Sequence, residues 1–220
     1  MGKLIVIEGL DGSGKATQAG LLAQSLEGKG RQVKKVSFPN YESDSSALVR
    51  MYLAGQFGDK PEDVNAYAAS MFYAVDRYAS YKTQWADFYA QGGIVVADRY
   101  TTSNAVHQCS KLPREQWEEY TAWLFEQEYE KIGIPTPDLV IYLKVAPQVS
   151  QKLMSGRYQG DESKKDIHEK DLEYLDRSRQ AAEYCARTFD WITVDCAQNG
   201  ELRSIQDIHN QLLDLVRQRI

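Results

Sequence analysis

The segment Gly9-Leu10-Asp11-Gly12-Ser13-Gly14-Lys15-Ala16-Thr17 constrains the fold most, because it follows the apolar run Leu4-Ile5-Val6-Ile7 and opens a stretch of helical period. A strand ending in a glycine-rich turn aims backbone N–H groups into a concavity, and the following helix adds the positive end of its dipole. That arrangement suits a polyphosphate, so Gly9, Gly12, Ser13, Gly14, Lys15, Ala16 and Thr17 are the predicted phosphate-binding residues. Gly9 and Gly14 admit backbone angles and close approaches that a Cβ would block. Lys15 brings a point charge to the β- and γ-phosphates of a nucleoside triphosphate. One position departs from the pattern: Ala16 stands where a Ser or Thr hydroxyl would ligate Mg²⁺, and the hydroxyl comes one place later, at Thr17.

Downstream, short β-branched runs alternate with long amphipathic stretches, the pattern of an α/β fold. Strands are predicted at Leu4–Glu8, Gln32–Phe38, Ile94–Ala97, Leu139–Leu143 and Trp191–Val194, forming one five-stranded parallel sheet flanked by helices on both faces. Helices are predicted over Lys15–Glu27, Ser46–Ala54, Val64–Ala90 with a break, Arg114–Lys131, Pro147–Met154, Glu169–Phe189 and Ser204–Arg219. Gly28 with Gly30 and Gly92-Gly93 read as helix ends, and Ser204 with Asp207 resembles a capping box. Residues 1–220 read as a single domain. Only about 155–168 changes composition: it is polar, holds Gly156 and Gly160 and lacks an apolar stripe.

Composition narrows the function classes. A net charge of −5 gives no general affinity for nucleic acid. The three cysteines are odd in number and unpaired in spacing, which argues against a disulfide framework and for reduced thiols in a cytosol. The three histidines lack ligand spacing, so no transition-metal site is expected. No apolar run approaches the ~18 residues of a membrane span, and Glu8 with the glycine loop interrupts anything like a signal peptide.

A second motif lies in Ile94-Val95-Val96-Ala97-Asp98-Arg99-Tyr100. In a phosphate-loop fold this strand lies beside the first, which places Asp98 near the phosphates and Mg²⁺, as a ligand directly or through water. Arg99 follows at once, and its planar guanidinium can grip a phosphate at two points.

Taken together, these segments resemble the thymidylate kinases. The resemblance runs over nearly the whole chain and is carried by the glycine loop, Phe38-Pro39, Tyr73-Ala74-Val75-Asp76-Arg77, Asp98-Arg99-Tyr100, Ser103, Gln108, Pro135 to Leu143, and Tyr174 to Arg179. It implies a P-loop kinase fold with a mobile lid at about 155–168, transfer of phosphate from ATP to dTMP with Mg²⁺, and a cytoplasmic homodimer. The implied catalytic residues are Asp11, Lys15, Asp98, Arg99 and Arg157, the last as a lid arginine, with Lys164 or Lys165 as its substitute. The implied dTMP pocket comprises Asp11, Phe38, Pro39, Leu53, Tyr73, Arg77, Arg99, Ser103, Asn104 and Gln108. Tyr73 and Arg77 are four apart on one helix face, where a ring can stack on a pyrimidine while the guanidinium donates to its exocyclic oxygen; the alternative makes Tyr73 core and Arg77 the surface partner of an acid. Ser103, Asn104 and Gln108 read as loop residues, and His107 as pocket-lining or surface.

Two departures stand out. Asn40-Tyr41 occupies the stretch where many relatives carry an arginine, and Ala16 replaces the hydroxyl. Alternatives left open are a kinase for another nucleoside monophosphate or a deoxynucleoside, and a nucleotide-binding pseudokinase.

Overall fold

The computed structural model describes residues 2–145, 149–150, 172–198 and 200–220. At its centre is β1 (Lys3–Gly9), in a parallel sheet of order β2 (Val33–Ser37), β3 (Ile94–Asp98), β1, β4 (Leu139–Lys144), β5 (Ile192–Asp195). Side chains alternate across a strand, and here both faces of β1 are buried. Leu4 and Val6 pack with Val36, Phe38, Trp85 and Tyr100, while Ile5 and Ile7 pack with Leu22, Leu26, Leu212 and Val216. Burial on both faces explains why the strand reads as an unbroken apolar run.

The described helices are α1 (Lys15–Glu27), α2 (Ala47–Leu53), α3 (Ala66–Ser80), α4 (Ala86–Ala90), α5 (Thr101–Cys109), α6 (Trp117–Phe125), α7 (Leu172–Thr188) and α8 (Ile205–Arg217). Helices α1 and α8 cover one face of the sheet. On the other, α5, α6 and α7 share a core of Val106, Cys109, Trp117, Leu124 and Cys185. All three cysteines are free and buried. No helix among the described residues is long and apolar enough to cross a membrane.

The five predicted strands all form, within a residue or two of their expected ends. Two of the long predicted helices, Val64–Ala90 and Arg114–Lys131, run into a π-helical turn, at Tyr81–Trp85 and at Glu126–Ile132. Ser204 Oγ accepts from Asp207 N at 3.0 Å, which supplies half of the expected capping box. Gly92, at φ +93°, follows α4. One expectation fails: Ser103, Asn104 and Gln108 lie on α5, not in a loop. This helix carries no apolar stripe because its buried residues include Thr101, Thr102, Asn104, His107 and Gln108, so hydrophobic periodicity cannot announce it. A short hairpin, β6 (Ala197–Gln198) with β7 (Glu201–Leu202), was also unforeseen. Most of the predicted helix 147–154, the segment 155–168 and the start of the helix predicted from Glu169 lie outside the described residues.

Strand register positions the site. Ile7 is opposite Asp98, and Asp98 is opposite Ser37. The glycine loop, Arg99 and Phe38 therefore leave the sheet side by side at its carboxyl edge, where open α/β sheets bind ligands.

Candidate active site

The glycine loop closes tightly. Gly14, at φ +81°, is the N-cap of α1 in the left-handed region, where a Cβ is penalised. A Cβ on Gly9 would lie 2.5 Å from Ser13 Oγ. Gly9 and Ser13 thus shape the loop, whereas Gly12, Gly14, Lys15, Ala16 and Thr17 line a cavity of about 560 Å³. Lys15 Nζ donates to the Leu10 carbonyl at 2.8 Å and lies 3.8 Å from Asp11 Oδ1. Burial, with the charge of Arg99, lowers its ammonium from the usual 10.5 to about 8.

Arg99 sits where the strands end. Its backbone is left-handed, at φ +66°, a conformation that costs a non-glycine residue roughly 1 kcal/mol or more and persists only when its surroundings impose it. The hydrogen bond from Arg99 N to the Ile7 carbonyl, at 3.1 Å, is part of that imposition. Nη2 donates to Asp11 Oδ1 at 2.5 Å and Nη1 to Ser103 Oγ at 3.2 Å. Nη1 also lies 3.2 Å from His107 Nε2 and 3.8 Å from Glu8 Oε1. Burial works against the guanidinium's charge, but the carboxylates of Asp11, Glu8 and Asp98 outweigh it and hold the group above its usual range.

Glu8 is buried and accepts from Thr102 Oγ1 at 2.6 Å, from Ser103 Oγ at 2.8 Å and from Gly9 N at 2.9 Å. It ties the start of the glycine loop to the first turn of α5. Asp98, also buried, lines the cavity. Its Oδ2 is 3.5 Å from Ser37 Oγ, and its Oδ1 has no hydrogen-bond partner among the described residues. A buried carboxylate oxygen left unpaired beside a cavity is costly, and it fits a cation or a cation's water.

Asp11, Phe38, Pro39, Leu53, Tyr73, Arg77, Ser103, Asn104 and Gln108 all border the same cavity, joined by Tyr41, Tyr100 and His107. Phe38 packs against Tyr100, with ring centroids 5.8 Å apart. Arg77 is not a surface residue. It is 1 % exposed, and its Nε and Nη2 donate to Glu128 at 2.7 and 2.5 Å. Its Nη1 makes a long contact with the Tyr100 carbonyl, at 3.5 Å. Gln108 is 1 % exposed, and neither of its amide heavy atoms has a partner among the described residues. Arg157, Lys164 and Lys165 lie outside the described residues.

Sequence reasoning gave no part to Glu8, Asp76 or Glu128. Asp76 accepts from Asn40 N at 2.8 Å and from Ser45 Oγ at 2.7 Å, fixing the turn after Pro39. Its only signal was its place beside Arg77. Glu128 stands among other acids, Glu126 and Glu130, with nothing in the sequence to single it out.

A phosphate loop and a polar, aromatic-walled recess that share one cavity define a phosphotransferase of the P-loop kinase class. The thymidylate kinase family model matches residues 7–211, and the chain belongs to that family. The Mycobacterium tuberculosis thymidylate kinase is 32% identical over 182 residues, covering 80% of this chain and 81% of that protein. The Plasmodium falciparum thymidylate kinase is 28% identical over 212 residues, covering 96% and 88%. A solved thymidylate kinase structure from Candida albicans superposes with a TM-score of 0.71 at 22% identity, covering 99% of this chain and 92% of that one. As a family member, the chain is a phosphotransferase that phosphorylates dTMP.

Proposed function

We propose that this chain transfers the γ-phosphate of ATP to dTMP with Lys15 and the loop amides on the donor, Arg99 on the acceptor phosphate, and Gln108, Asn104, Tyr73 and Arg77 on the base. The observation that carries this reading is the shared cavity, which joins Gly12, Gly14 and Lys15 to Phe38, Tyr73 and Gln108 with Arg99 in the same wall. Phosphoryl transfer needs in-line placement and positive charge around the moving group more than covalent help. Lys15 and Arg99 supply that charge.

On the base side, Gln108 offers one donor and one acceptor, the complement of an imide edge in which an N–H stands beside a carbonyl. Arg77 Nη1 adds a donor for an exocyclic oxygen. A base that leaves these buried groups unpaired is rejected at a cost of about 1–3 kcal/mol each.

Mg²⁺ fits the residues present: Asp98 would hold it, directly or through water, and the Thr17 hydroxyl, one place after Ala16, lines the same cavity. Such an ion neutralises charge on the phosphate oxygens. Arg157 remains the proposed lid arginine on sequence grounds. A cytoplasmic homodimer is also proposed. Tyr67, Val75 and Tyr78, exposed by 38%, 50% and 43% along α3, support it as an apolar stripe a second copy could cover.

The test is a coupled assay of ADP release over a panel of nucleoside monophosphates and thymidine. Preference for dTMP is expected; equal or better turnover of AMP, CMP or thymidine overturns the reading.

A further inference from the structure

His107 is buried between α5 and α7 and makes contacts that admit one protonation state. Nε2 lies 3.2 Å from Arg99 Nη1. A guanidinium can only donate, so Nε2 must present its lone pair. The ring proton then sits on Nδ1, which is 3.3 Å from the Tyr174 hydroxyl. That hydroxyl sends its own proton to the His107 carbonyl, at 3.2 Å. The two rings lie nearly parallel, 19° apart in plane. With the proton on Nε2 instead, two donors would face each other across the 3.2 Å contact to Arg99.

We infer that His107 is a positioning residue for Arg99, a neutral acceptor that sets the guanidinium for the acceptor's phosphate. The inference rests on the reading of Arg99 given above. Arg99 Nη1 is hydrogen-bonded by two uncharged acceptors, Ser103 Oγ and His107 Nε2, with the Glu8 carboxylate further off at 3.8 Å, while Nη2 faces the Asp11 carboxylate. An incoming phosphate competes with carboxylates for a guanidinium and is repelled by them. A neutral imidazole orients the arginine without adding that repulsion. Burial and the charge of Arg99 push the imidazole down to about 3, so it stays neutral at working pH. Tyr174, on α7, fixes the tautomer from the far side.

The experiment compares affinity for dTMP with affinity for thymidine, which shares the base and sugar but lacks the phosphate. His107→Phe keeps the ring's bulk and removes the acceptor. It should weaken dTMP binding about tenfold, the worth of a hydrogen bond to a charged group, and leave thymidine binding within about twofold. His107→Gln, whose amide oxygen can reach the place of Nε2, should restore most of the loss. Tyr174→Phe should shift the dTMP-to-thymidine ratio in the same direction by a smaller factor, which keeps the test open if His107→Phe does not fold. Long-range ¹⁵N spectra of the unmodified protein should show a protonated Nδ1 and a bare Nε2. An unchanged ratio in His107→Phe or in Tyr174→Phe, or no rescue by Gln, overturns the inference. Arg99→Ala separates the two readings: if it leaves the ratio unchanged, the assignment of Arg99 to the phosphate fails; if it collapses the ratio while His107→Phe does not, only the role of His107 fails.

Discussion

Arg77 on α3 and Glu128 on the second π-helical turn meet as a two-point ion pair, Nε to Oε2 at 2.7 Å and Nη2 to Oε1 at 2.5 Å, both side chains nearly inaccessible to solvent. Thr101 Oγ1 donates to the same carboxylate at 2.9 Å. Three elements are thereby joined beside the cavity, which Arg77 itself lines.

Removing one partner of such a pair leaves an uncompensated buried charge. Glu128→Ala should destabilise the protein by about 3–5 kcal/mol in urea unfolding. Replacing both residues with apolar ones of similar size should recover much of that loss, while dTMP affinity stays low because Arg77 is gone. A Glu128→Ala protein with unchanged stability would show that the pair contributes little.

Gln108 is expected to behave in the opposite way. Its amide is buried without partners among the described residues, so Gln108→Leu should leave the melting temperature unchanged or raise it. The same substitution should raise KM for dTMP by about 1–3 kcal/mol in equivalent binding energy. Parallel melting and steady-state measurements check both halves.

The lowered ammonium of Lys15 gives a pH signature. Its pKa in the folded protein is about 8, from an ordinary 10.5, so near pH 9 much of the free protein carries it uncharged. The negative phosphates of ATP favour the charged form, and binding there should take up a proton. Binding at pH 7, where little of it is uncharged, should take up far less at this residue. Calorimetry in buffers of different ionisation enthalpy reads the difference, and Lys15→Arg should abolish it. The sign for folding follows: between about 8 and 10.5 the unfolded chain holds more of this proton, so this residue's contribution to stability improves as pH rises through that window.

Ala16 and Asp98 should be coupled. Ala16→Ser is expected to lower the Mg²⁺ concentration needed for activity while KM for dTMP stays nearly constant. Asp98→Asn should nearly abolish activity alone and be less harmful beside Ala16→Ser, with a coupling of about 0.5–3 kcal/mol in a double-mutant cycle. Additive effects would mean that Asp98 does not compensate for the missing hydroxyl.

Legibility in the sequence followed the physics of burial. The strands were readable because β1 and β3 are apolar on both faces, and the glycine loop because it sits between a strand and a helix. α5 was not, because Thr101, Thr102, Asn104 and Gln108 are buried polar residues, and amphipathic periodicity detects only helices that bury apolar ones. The pocket residues came through family likeness, which named Arg77 and Gln108 but could not reveal what stands behind them. Glu8 looked like the end of a strand, yet it holds Thr102 and Ser103. Glu128 alternates with Glu126 and Glu130 in a run that reads as solvated, yet it falls on the face that buries Trp117, Thr121 and Leu124, within the π-helical winding of Glu126–Ile132.

That winding also limits how the chain can change in length. A π-helical turn holds one residue more than an α-helix does over the same span, and each residue advances a helix by about 100°. Deleting one residue within 126–132 would restore ordinary winding. It would then either swing Glu128 away from Arg77 or pull Asp138, bonded to Leu4 N at 2.8 Å, out of step with the sheet. A stretch that looks like a tolerant charged helix is thus a spacer whose insertions and deletions should be as harmful as a substitution in the catalytic cavity.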